Sequence, residues 1–140
     1  MSGRYFLDTN ILVYSFDHSC PEKQKRAVGL IDAAIEDGAG VISSQVVQEF
    51  LNVAMRKFAV KLTPRDLRMY LEDVLLPLCA VYPAARIYAR ALDISDESGY
   101  SFYDAMILAG AREAGCGVIY SEDLQHGRTL GGVKIVNPFT

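Results

Sequence analysis

Short apolar runs at 5–7, 41–42, 80–82, 117–120 and 133–136 alternate with longer stretches of helical periodicity, and this alternation is the strongest constraint on the fold. A strand covered on both faces reads as an unbroken apolar run, so the pattern predicts a parallel sheet between layers of helix. Helices are predicted over 22–37, from Ser43 or Ser44 to about residue 60, over 64–76, over 83–95 and over 102–114. In the first of these, Val28, Ile31 and Ile35 mark the expected inward stripe. Thr63, Pro64 and Asp66 supply a capping hydroxyl, a proline at the first helical position and an acid at the third. The helical pair within 43–76 falls between two strands and is expected to form an arm. With no linker, repeat or low-complexity tract, residues 1–140 are expected to make one domain.

Composition narrows the functional classes. Apolar residues at 51% and charged residues at 22% exclude a disordered chain. No apolar run reaches the ~18 residues a membrane span needs, and the N-terminus has no signal-peptide pattern, so no membrane association is expected. Three cysteines without CxxC spacing disfavour a disulfide framework and a zinc site, and reduced thiols in the cytoplasm fit best. The net charge of −3 argues weakly against a nucleic-acid partner. Carboxylates that gather around a divalent cation would invert the local sign.

Placement singles out four of the 17 acids. In open parallel sheets, sites form beyond the carboxyl ends of the strands. Asp8 directly follows the first strand in YFLDTN, and Asp123 lies three residues after Tyr120 at the same kind of strand end. Asp104, in the first turn of its helix, follows a loop that belongs near that edge. Glu49 lies inside a helix whose apolar arc centres on Val46, Phe50, Val53 and Ala54; at ~100° per residue it falls about 40° beyond Val53, at the border of the buried face. Converging carboxylates repel one another unless a cation compensates. A site of oxygens without histidine or cysteine points to Mg²⁺ or Mn²⁺, and two such ions can clamp the attacking and leaving oxygens of a phosphodiester hydrolysis.

Each acid also has an ordinary reading. Asp8 can form an Asx turn, and Asp104 follows Ser101 in a capping pattern. Glu49 can be a solvated helix edge and Asp123 a loop acid, with Glu122 as an alternative ligand. His18 and His126 read as surface residues, and Cys79 and Cys116 as core fillers. Arg56, Lys57, Lys61, Arg65 and Arg68 flank Glu49 along the arm, where phosphate contacts would be useful.

Taken in order, LDTNILV, the stretch from Ser44 to Glu49, YDAMILA, YSEDLQHG and the terminal VNPF resemble the PIN-domain ribonucleases, especially the VapC-type toxins of prokaryotic toxin–antitoxin modules. The resemblance covers essentially the whole chain. It implies a three-layer α/β/α sandwich with a short central parallel sheet, and a metal-dependent endoribonuclease. It also implies that Asp8, Glu49, Asp104 and Asp123 form the catalytic and metal-binding cluster around Mg²⁺ or Mn²⁺, with Thr9, Asn10 and Ser121 as polar support. An RNA substrate, a homodimer and a cognate antitoxin whose tail occupies the acidic groove are further implications. Many relatives carry another acid two residues after the one matching Asp123, where this chain has Gln125.

Two other functions fit parts of the pattern. A non-catalytic module could use the same fold to hold RNA or a protein, a reading motivated by Gln125 and the negative charge. An aspartyl-phosphate enzyme with Asp8 as nucleophile would ordinarily want a second acid where this chain has Asn10.

Overall fold

A computed structural model describes residues 3–140. The chain runs β1 (Arg4–Leu7), α1 (Thr9–Tyr14), α2 (Pro21–Asp37), β2 (Gly40–Ser43), α3 (Ser44–Arg56) and α4 (Pro64–Tyr70). It continues through a π-helical turn (Leu71–Leu75) into α5 (Leu76–Leu78), then β3 (Cys79–Val81), α6 (Ala85–Ser98), α7 (Phe102–Glu113), β4 (Cys116–Tyr120), β5 (Thr129–Leu130) and β6 (Val133–Val136). The strands form one sheet in the order β3-β2-β1-β4-β6-β5, parallel except for β5 against β6.

Connections from β1 to β2 to β3 move one way across the sheet, and the return from β3 to β4 moves the other way. Right-handed crossovers therefore place α2 and α3 on one face and α6 and α7 on the other. The reversal falls between β1 and β4, whose register pairs Leu7 with Tyr120. Their carboxyl ends thus open side by side. Phe6, Leu7, Ile42, Val46, Phe50, Leu108, Ile119 and Ile135 are fully buried in the core between these layers.

Most expected elements are present, and the departures have local causes. On α2 the buried residues are Ala27, Leu30, Ile31 and Ala34, while Val28 and Ile35 are 39% and 49% exposed, so the inward stripe is rotated from the expected one. Small residues face the sheet because the approach is close: a Cβ on Gly40 would lie 2.3 Å from Ala34 Cβ and 2.7 Å from the Tyr5 ring. Helix α3 ends at Arg56, short of residue 60, because Phe58 turns back onto Phe16 and Phe50, with ring centroids 5.4 and 5.9 Å apart. Lys61 Nζ then donates to the freed carbonyls of Met55 and Arg56.

Thr63 caps α4 as its sequence predicts, accepting from the Asp66 N–H at 3.0 Å. No residue of α4 is fully buried; Tyr70 joins its pair with α3 to the core by stacking 5.1 Å from Phe50. The helix widens into the π turn just before Pro77, whose ring would clash with the carbonyl four residues back in an unbroken α-helix. The two-residue strand β5 is too short to leave a periodic signal. It pairs with β6 across Gly131 and Gly132, both at positive φ, as a tight two-residue hairpin requires. Among the described residues, no helix is long and apolar enough to cross a membrane.

Candidate active site at the switch point of the sheet

Asp8 leaves β1 at the reversal of strand order, and its N–H donates to the Tyr120 carbonyl of β4 at 3.0 Å. The side chain is only 6% exposed, yet its oxygens are fully engaged. Oδ1 accepts from the Thr9 N–H at 2.7 Å, which caps α1, and Oδ2 accepts from the Ser121 hydroxyl at 2.7 Å. The Asx turn and the buried acid are therefore one arrangement. Burial raises the Asp8 carboxyl to about 7, against the pull of the Ser121 and Thr9 hydrogen bonds, and the negative charges of Glu49 and Asp123 push it the same way.

Glu49, on α3, is half-buried at the border of the apolar face. Its Oε1 accepts from the Thr9 hydroxyl at 2.5 Å and its Oε2 from Gln45 Nε2 at 3.1 Å. Asp123 lies in the exposed loop after β4, and Asn10 Nδ2 donates to its Oδ2 at 3.2 Å. The same Asn10 amide is 3.4 Å from both Asp8 Oδ2 and Ser121 Oγ. Ser121, fully buried, also accepts from the N–H groups of Asp123 and Leu124. Thr9, Asn10 and Ser121 thus link three acids that arrive from three different elements.

Asp104 stands apart from this network. Its N–H donates to the Ser101 hydroxyl at 3.2 Å, which caps α7, and its half-buried carboxylate has no hydrogen bond to the other acids. The first turn of α7 is tied to the cluster one residue earlier, where Gln45 Nε2 donates to the Tyr103 carbonyl at 3.0 Å. An open groove of about 510 Å³ runs over Thr9, Asn10, Tyr14, Asp17, Glu49, Asn52, Lys57, Glu122 and Asp123. It adjoins an apolar recess of about 440 Å³ walled by Phe16, Val53, Phe58, Val60 and Leu62. Lys57 borders both cavities. Gln45, Asn52 and Tyr14 have no signal in the sequence, since each reaches the groove or its acids only through the spacing of its helix.

Mg²⁺ or Mn²⁺ is the group this donor chemistry implies. The donor set fits, because Asp8, Glu49 and Asp123 offer only oxygens, and a cation would favour the ionised form of Asp8, which burial chiefly and the charges of Glu49 and Asp123 secondarily disfavour. As the side chains lie, Thr9, Asn10 and Ser121 occupy the space between the acids. Among the described residues, no three Asp, Glu, His or Cys side chains are gathered as a metal-holding group. The carboxylates therefore close on a cation only by exchanging some of these hydrogen bonds for coordination.

The molecule is an α/β protein with a mostly parallel sheet and an acidic groove at the point where its strand order reverses. The chain belongs to the PIN domain family, whose model matches residues 5–129. Among solved structures, it is similar to FitAcB from Neisseria gonorrhoeae at 22% identity and a TM-score of 0.62, over 96% of this chain and 98% of that one. It is also similar to DNA-bound VapBC from Salmonella typhimurium at 18% identity and a TM-score of 0.67, over 96% and 97% of the two chains. A third likeness is to VapC20 from Mycobacterium tuberculosis, a sarcin–ricin loop cleaving toxin, at 20% identity and a TM-score of 0.61, over 85% and 89%. No curated protein matches the sequence.

Proposed function

We propose that this protein is a metal-dependent endoribonuclease that hydrolyses RNA phosphodiester bonds and serves as the toxin of a VapBC-type toxin–antitoxin module. The observation that carries the reading is the buried Asp8 carboxyl at the β1–β4 switch point, sharing Thr9, Asn10 and Ser121 with Glu49 and Asp123. Asp8, Glu49, Asp123 and, from the first turn of α7, Asp104 are the residues that would hold Mg²⁺ or Mn²⁺. The cation would supply charge neutralisation at the scissile phosphate and an activated water. Ser121 and the Thr9 N–H hold Asp8 in one orientation, Thr9 does the same for Glu49, and Lys57 offers a cation to a flanking phosphate where the groove meets the recess.

The similar FitAcB and VapBC structures support an antitoxin as partner. The acidic groove suits a basic side chain of such a partner, and the recess beside it an apolar one. A homodimer, a cytoplasmic location and a single domain over 1–140 complete the reading; one sheet and one continuous core support the last. Asp8→Asn and Asp104→Asn should each abolish Mg²⁺-dependent cleavage of cellular RNA while the circular dichroism spectrum stays native. Undiminished cleavage in both variants rejects the proposal.

A second reading, a non-catalytic PIN-fold module that binds RNA or a protein, is favoured by two observations. No three acids are gathered as a metal-holding group among the described residues, and Gln125 pairs with Arg128 where many relatives carry an acid. Mn²⁺ titration separates the two: no binding with RNA present selects the module.

A further inference from the structure

Glu122 sits next to Asp123, and its sequence position leaves open whether it is a ligand. The structure gives its carboxylate other partners. Oε1 accepts from the Tyr14 hydroxyl and Oε2 pairs with Lys23 Nζ at 2.5 Å. Burial acts to raise the Glu122 carboxyl, but these two hydrogen bonds outweigh it and hold the group below its ordinary range. Its N–H donates to Asn10 Oδ1 at 3.1 Å, while the Asn10 amide nitrogen donates to Asp123 Oδ2 at 3.2 Å. One asparagine therefore grips the backbone at 122 with one end and the carboxylate at 123 with the other.

Lys23 joins this point to the rest of the fold. It comes from the first turn of α2, and its ammonium lies 4.9 Å from the Tyr14 ring centroid and 5.7 Å from that of Phe139, which are packed edge to face 5.0 Å apart. The side chains of Lys23 and Glu122 are 39% and 24% exposed, so the pair contributes little to global stability. Its geometry is local: it ties the loop after β4 to the first turn of α2 and sets a positive charge against one of the acids that line the groove.

Resting on the nuclease reading, we propose that the Lys23–Glu122 pair, completed by Tyr14, is a positioning clamp that sets the Asp123 carboxylate for cation binding, and that Glu122 is not itself a ligand. Charge removal at Lys23 frees the 121–124 loop and leaves Glu122 uncompensated next to Asp123. The clamp is tested on the full chain with Lys23→Met, Lys23→Arg and Glu122→Gln. Amide hydrogen exchange at residues 122–124 is measured without metal, Mn²⁺ affinity by calorimetry, and kcat and KM on a mixed-sequence single-stranded RNA oligonucleotide.

Lys23→Met should speed exchange at 122–124, weaken Mn²⁺ binding about 10-fold and lower kcat by a similar factor with KM unchanged. Lys23→Arg, which keeps the charge, should restore all three readouts, and Glu122→Gln should resemble Lys23→Met. Unchanged exchange in Lys23→Met overturns the clamp. So does a Glu122→Gln variant that loses Mn²⁺ binding entirely while Lys23→Met keeps it, since Glu122 would then be a ligand. If the wild type cleaves no RNA, the nuclease reading fails, and exchange and Mn²⁺ affinity still decide the clamp.

Discussion

Replacing Asp8 by asparagine should make the metal-free protein more stable at neutral pH while removing its activity. Burial pushes the carboxyl up to about 7 in the folded chain, from an ordinary value of 3.8. At about 1.36 kcal/mol per pH unit, ionised Asp8 then destabilises the fold by about 4 kcal/mol above pH 7. The sign follows from the raised value. The contribution of neutral Asp8 is fully present below about pH 4, and it is lost as the pH rises through about 7. The substituted amide never ionises, but its NH2 must stand where a carboxylate oxygen accepts from either the Ser121 hydroxyl or the Thr9 N–H, which costs about 1 kcal/mol. In EDTA, urea denaturation should find Asp8→Asn about 1 kcal/mol less stable than wild type at pH 4 and about 3 kcal/mol more stable at pH 8. Mg²⁺ should narrow or reverse the difference at pH 8, because only the wild type retains the full donor set. A difference that stays constant with pH, or a wild type more stable in EDTA at pH 8, would refute the electrostatic account of Asp8.

Three further predictions probe other parts of the structure. Thr9→Val removes the hydroxyl that holds Glu49 Oε1, and should lower RNA cleavage about 10-fold in a kinetic assay while changing stability by less than about 1 kcal/mol. Gly40→Ala places a methyl 2.3 Å from Ala34 Cβ, so thermal melting should show a loss of about 2–3 kcal/mol, with cleavage by the folded fraction unchanged. Lys57→Ala should weaken single-stranded RNA binding and reduce the slope of log affinity against log salt by ~0.7, measured by fluorescence anisotropy across a salt series.

Strand positions and strand-end acids were legible because they follow from short-range rules. Three apolar residues end at Asp8, four end at Tyr120, and a parallel sheet puts both termini on one edge. Ser101 and Thr63 were readable as caps for the same reason, since each partner N–H lies three residues away. The α2 stripe was not, because burial there is decided by how closely the small Ala34 lets the helix approach Gly40, a tertiary distance that periodicity does not contain. Contacts between distant elements were also beyond reach. Asn10 meets Asp123 across 113 residues, and Lys23 meets Glu122 across 99. Neither pairing carries a local signal, because each forms only when the fold brings distant elements together.

The acids themselves show the same division. Asp8, Glu49 and Asp123 share a hydrogen-bond network, whereas Asp104 reaches it only through Gln45 and the Tyr103 carbonyl. Helical periodicity places Glu49 at the border of its buried face, but it cannot say that Thr9 will meet it there. The N-cap pattern at Ser101 uses only the backbone N–H of Asp104 and leaves its carboxylate free of local hydrogen bonds among the described residues.

If these carboxylates act together on a bound cation to cut RNA, cleavage and cation binding must rise and fall together. The most direct measurement is to strip the protein with EDTA, restore Mn²⁺ in steps, and follow cleavage of cellular RNA beside calorimetric Mn²⁺ binding for wild type, Asp8→Asn, Asp104→Asn and Asp123→Asn. Wild-type cleavage should rise along its Mn²⁺ binding curve, and each variant should lose both together. Cleavage that persists in EDTA, or variants that keep Mn²⁺-dependent cleavage at the wild-type level, would contradict this.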